Sequence, residues 1–106
     1  MREIQTTELR FLIEQFIDAQ VDGARLAKRV MLLQDLADGA QTLACAAYDE
    51  ALEDAGNGDA VDRAVMTATA ASRANEDELD ATIAWKEHLQ NTSQLVDAAR
   101  RVLEAM

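Results

Sequence analysis

Proline is absent from this chain of 106 residues; glycine occurs four times, histidine and cysteine once each, and aromatics make up 4%. Each shortage excludes something. With no proline and little glycine, nothing forces tight turns or sheet edges. One cysteine, Cys45, cannot build a disulfide framework. One histidine, His88, cannot supply a zinc site or the paired Glu-x-x-His of a di-iron bundle, and the residue three before it is Trp85. Large apolar side chains run unbroken no further than Val30-Met31-Leu32-Leu33, far short of a membrane span. Met1 to Val21 is interrupted by Glu3, Glu8, Arg10, Glu14 and Asp18, so it lacks the apolar stretch of a signal peptide. A soluble cytoplasmic protein is expected.

Basic residues are also scarce, ten against twenty acids, and the net charge is −10. That sign opposes direct nucleic-acid binding, which needs a basic surface, and opposes docking on anionic lipid. Hydrophobic residues make up 49% of the chain, too many for a disordered acidic tail. Of these 52 residues 21 are alanine, which leaves 31 larger core formers. One modest core follows, and with it a single helical domain over residues 1–106.

What is present has helical period. Leu9, Leu12, Ile13, Phe16, Ile17 and Val21 form a first apolar stripe, with Thr6 or Thr7 as a plausible N-cap unless the helix starts nearer Arg2. Asp22-Gly23 is expected to end or bend that helix. From Ala24 to Ala55, Leu26, Val30, Leu33, Ala37, Ala40, Ala44, Ala47 and Ala51 step alternately by four and three, a seven-residue repeat. Leu32, Leu36 and Leu43 are expected to widen its buried face, and Gly39 to kink it. Gly56-Asn57-Gly58 is the clearest breaker, with Asp59 as the next cap. Beyond it Val61, Val65 and Ala68 are expected inward. Asn75 with Glu78 reads as a capping box, opening a stripe of Leu79, Ile83, Trp85 and Leu89. Asn91-Thr92-Ser93-Gln94 is a further cap or a polar turn, after which Leu95, Val96, Ala99, Val102, Leu103 and Met106 continue the apolar face. The expected fold is all-α, an antiparallel bundle of four to five helices with an alanine-rich middle.

Charge is regional. Residues 1–34 and 81–106 are each neutral, so the whole excess lies between Asp35 and Asp80, where twelve acids face only Arg63 and Arg73. The candidate partner-binding acids are Asp35, Asp38, Asp49, Glu50, Glu53, Asp54, Asp59, Asp62, Glu76, Asp77 and Asp80. Asp59, Asp62, Glu76 and Asp77 suit helix starts. Asp49, Glu50, Glu53 and Asp54 do not, because they stand at a helix end in like-charge pairs four apart. Carboxylates on successive turns are about 6 Å apart, a spacing comparable to that of phosphates. Such a row competes for a basic protein's phosphate-binding arginines and lysines; the plain alternative is a solvated face that maintains solubility.

Other chemistry finds little support. A calcium loop read from Asp54 would place Gly56 and Val65 at ligand positions. Cys45, within Ala44-Cys45-Ala46-Ala47, has no basic neighbour and reads as a packed, inert thiol. His88 reads as a partly exposed surface residue, and Trp85 as core packing or else as an interface anchor. No catalytic residue, cofactor or metal is expected, and the chain is read as non-enzymatic.

In size, charge and lack of catalytic residues the chain resembles the small acidic helical inhibitors that phages encode against host defences, anti-CRISPR proteins among them. That resemblance implies a basic nucleic-acid-binding partner such as a Cas effector subunit, met in the host cytoplasm by the acids from Asp35 to Asp80. Two other roles are open: a structural or oligomeric helical subunit, monomer or homodimer, and a small chaperone or adaptor binding a partner helix.

Overall fold

The computed structural model describes residues 2–106; Met1 lies outside the described residues. Two α-helices contain nearly all of them, α1 over Arg2–Glu53 and α2 over Gly58–Ala105. The expected bundle of four to five helices is therefore corrected to two long helices joined by one short turn.

The turn falls at Gly56-Asn57-Gly58, as expected, but its cap is Asn57 rather than Asp59. Asn57 Oδ1 accepts the N–H groups of Asp59 at 3.0 Å and Ala60 at 3.4 Å. Its carbonyl accepts the N–H of Val61 at 3.2 Å, the first bond of α2. On the other side, Asp54 N–H donates to the Glu50 carbonyl and Asn57 N–H to the Asp54 carbonyl, so the chain changes direction with its backbone groups paired. Asp59 lies in the first turn of α2, where negative charge complements the helix dipole. Replacing Asn57 by alanine is expected to destabilise the fold by about 1 kcal/mol, measured by urea denaturation, whereas Asn57→Asp retains most of the cap.

None of the other expected interruptions occurs, and the packing seam explains why. The chain divides into two compact units, one holding the described residues up to Lys28 together with Ile83–Met106, the other Arg29–Thr82. In the first, the half-buried positions of α1 include Gln5, Leu9, Leu12, Phe16, Ala19, Gly23 and Leu26; those of α2 include Trp85, His88, Thr92, Leu95, Ala99 and Val102. In the second, Val30, Leu33, Ala37, Ala40, Ala44, Ala47 and Ala51 line α1, and Ala60, Ala64, Thr67, Ala71, Ala74, Glu78 and Ala81 line α2. Every step is four or three in alternation, the signature of coiled-coil packing.

Asp22, Gly39, Asn75 and Asn91 all fall outside this alternation, on exposed positions. They decorate the outer surface, where a helix tolerates them as long as its inward stripe continues. Gly39 costs α1 only about 0.5–1 kcal/mol relative to alanine. Hydroxyls are absorbed in the same way: Thr7 donates to the Glu3 carbonyl at 2.9 Å inside α1 instead of capping it. Thr42, Thr67, Thr82 and Thr92 bond back to the carbonyls of Asp38, Arg63, Glu78 and His88.

The core is small. Val30, Ala37, Ala60, Ala71 and Ala81 are the buried hydrophobic residues, and four of the five are alanines. The middle is thus alanine-rich, as expected, but the larger residues beside it do not join the core. Leu32, Leu36 and Leu43 are exposed, as are Val61, Val65 and Ala68. From the other expected stripes Ile13, Ile17, Val21, Leu79, Ile83, Leu89, Val96, Leu103 and Met106 also lie outside. Side-chain size misleads here because the alanine seam already fixes the inward phase.

Candidate interaction surfaces

In the unit formed by the chain ends, the seam sets large residues such as Leu12, Phe16, Trp85 and Leu95 beside small ones and one histidine. His88 Nε2 lies 2.7 Å from the carbonyl oxygen of Ala19. Gly23, one turn further along α1, makes room for that ring: a Cβ there would come within 3.1 Å of His88 Nε2 and 3.3 Å of Cδ2. The glycine expected to break the helix is instead where the second helix comes close. His88 is accordingly a half-buried seam residue with a main-chain partner, not a surface residue. Trp85 is also half-buried, one step earlier on the same seam. Gln5 Nε2 donates to the carbonyl of Ala105 at 3.3 Å, satisfying one of the free acceptors at the end of α2.

The same unit carries an apolar groove of about 360 Å³. Leu12, Phe16, Leu95 and Ala99 of the seam contribute to it, with Ile13, Val96 and Leu103 beside them. Such a surface fits hydrocarbon side chains; Arg100 is its one charged contributor.

In the Arg29–Thr82 unit, each candidate acid is exposed. Asp35, Asp38, Asp49, Glu50 and Glu53 stand on α1, Asp54 in the turn, and Asp59, Asp62, Glu76, Asp77 and Asp80 on α2. Trp85 belongs to the other unit, so it is not grouped with them. Glu50 has a local reason that the sequence did not reveal: its Oε1 is 3.1 Å from Arg63 Nη2, across the two helices. With both side chains more than half exposed, this pair contributes at most about 1 kcal/mol. It is the one ion pair among the described residues. Cys45 is exposed rather than packed, with its Sγ 3.7 Å from the Gln41 amide nitrogen.

Exposed apolar side chains outweigh everything else. Among the described residues twenty large ones are exposed, from Ile4 and Phe11 near the start of α1 to Leu103 and Met106 at the other end of the chain. On α1 of the Arg29–Thr82 unit three of them, Leu32, Leu36 and Leu43, fall with the exposed Gly39 and Ala46 on a second, outward stripe that steps by four, three, four and three, while Met31, Tyr48 and Leu52 lie off it. Sequence reasoning found the three leucines but assigned them to the interior. No helix among the described residues is long and apolar enough to cross a membrane. No family model matches this chain, and neither a curated protein nor a solved structure does.

Proposed function

We propose that this chain is a non-enzymatic helical hairpin that works by packing against other helices, as a structural or adaptor subunit. One observation carries the reading: twenty large apolar side chains are exposed, outside a seam whose buried residues are Val30 and four alanines. The accessible surface is 8033 Å². A folded monomer of 11.6 kDa exposes about 5,800 Å², which leaves an excess of about 2,200 Å². Large apolar side chains exposed in this number mark an interaction site. The contacts that complete it are apolar and weakly sensitive to salt.

A second reading keeps the acidic middle as a decoy for the phosphate-binding arginines and lysines of a basic nucleic-acid-handling protein. What favours it is that the acids from Asp35 to Asp80 in the candidate set are exposed and that only Glu50 has a cationic partner. Ionic strength separates the two. Complexes formed through apolar helix faces persist from low to high salt; a charge-driven complex dissociates as salt screens it. Pull-down from cell lysate at the two salt levels reads the difference. Release of every partner at high salt, and loss of binding on changing Asp49, Glu50, Glu53 and Asp54 to Asn or Gln, would overturn the first reading in favour of the second.

A further inference from the structure

The outward stripe on α1 continues beyond its leucines. Extending the alternation of four and three by one step at each end reaches Arg29 and Glu50. The full series is Arg29, Leu32, Leu36, Gly39, Leu43, Ala46 and Glu50, all exposed and all on one continuous helix within one unit. Its order is close to palindromic. A base stands at one end and an acid at the other, leucines flank the centre, and the centre is a glycine.

A surface with this pattern is complementary to its own reverse. Turned antiparallel about a two-fold axis beside Gly39, two copies bring the Arg29 end of each stripe over the Glu50 end of the other. Leu36 and Leu43 then meet across the axis. The contact is isologous and closes after two chains, so it does not propagate into fibres. The opposite choice, parallel pairing, would set arginine on arginine and glutamate on glutamate.

Gly39 supplies a second argument. Its φ is not positive, and a Cβ there would meet nothing within 4 Å in its own chain. Neither backbone conformation nor internal packing requires glycine at this helix-weakening position. The missing side chain leaves room there for a second helix to approach the backbone closely.

We infer that α1 pairs with α1 of a second copy of this chain, antiparallel, through the stripe centred on Gly39 with Arg29 facing the partner's Glu50. This deepens the helix-packing reading and rests on it; the partner is specified as the chain itself.

The test uses the full chain and its solution mass by light scattering, with circular dichroism to confirm that each variant stays helical. R29E weakens the dimer roughly tenfold, because two symmetric attractions become repulsions; E50R does the same while also breaking the Glu50–Arg63 pair within the chain, so R29E is the cleaner probe. Mixing the two variants restores it, since the heterodimer again pairs opposite charges at both ends. Leu36→Asp with Leu43→Asp abolishes it. Single reversals that leave the mass unchanged, or a mixture that fails to recover, overturn the inference. A wild-type dimer indifferent to Leu36→Asp and Leu43→Asp places the contact on another outer face, which ends this inference and leaves the helix-packing reading intact. A wild-type chain that is monomeric yet holds a foreign helix does the same. A chain that stays monomeric and helical and binds nothing ends both.

Discussion

Diluting the chain a hundredfold is expected to lower its melting temperature by about 7 °C, where a self-sufficient monomer would show no change. The figure follows from an unfolding enthalpy of about 150 kcal/mol for two chains, which makes each tenfold dilution worth about 3.3 °C. The reason lies in the seam. Its buried residues are Val30 and four alanines, and alanine contributes little apolar area. Isolated helices draw most of their stability from tertiary burial of an apolar face. Here twenty of the larger apolar side chains are exposed, and on the proposed reading another chain buries them. Folding and association are then one process, and stability becomes a function of concentration. A melting temperature constant over that range, read by far-UV circular dichroism, would show that the alanine seam suffices alone.

Gly23→Leu should destabilise the unit formed by the chain ends by about 2–4 kcal/mol, the largest single-substitution effect anticipated. A Cβ at that position already crowds His88 at 3.1 and 3.3 Å, and His88 Nε2 is committed to the Ala19 carbonyl at 2.7 Å. Leucine adds three further carbons where the ring stands, so the ring is displaced and the hydrogen bond is lost. Gly23→Ala is the informative control. It gains about 1 kcal/mol of helix propensity and needs only a shift of a few tenths of an ångström from His88, so its net effect is small. Equal losses from the two substitutions would mean that Gly23 serves backbone flexibility instead of close packing. Chemical denaturation of the three proteins at one concentration decides between these outcomes.

How much of this was legible in the sequence depends on which signal is followed. The alternation from Leu26 to Ala51 identified the inward face of α1 in its region residue by residue, because phase is a property of spacing. Hydrophobic bulk did not. Val61 and Val65 looked more like core than Ala60 and Ala64, yet the valines are exposed and Ala60 is buried. The same substitution of size for phase put Leu32, Leu36 and Leu43 inside. Local caps misled for a related reason. Asn75 and Glu78 match a capping box, but such a pair starts a helix only where the preceding residues leave the helical path, and Ala71, Ala74 and Glu78 keep the seam in step through it. At Asn57 the flanking glycines do release the chain, and there the cap forms. The Glu50–Arg63 pair was invisible because it depends on which two turns of the hairpin lie opposite each other.

The acidic middle takes on a narrower meaning. Glu50 is locally paired and ends an apolar stripe, whereas Asp49, Glu53 and Asp54 are left to solvent around the turn. A charge excess concentrated in one unit also limits unwanted association of a protein that exposes so many large apolar side chains.

Sedimentation equilibrium over a wide concentration range, with helicity followed in the same samples, tests the central claim most directly. If a second copy covers the outer apolar faces, as proposed, the helical species weighs two chains of 11.6 kDa, with helix lost as that species dissociates. A single chain of 11.6 kDa that remains fully helical at every concentration would contradict it.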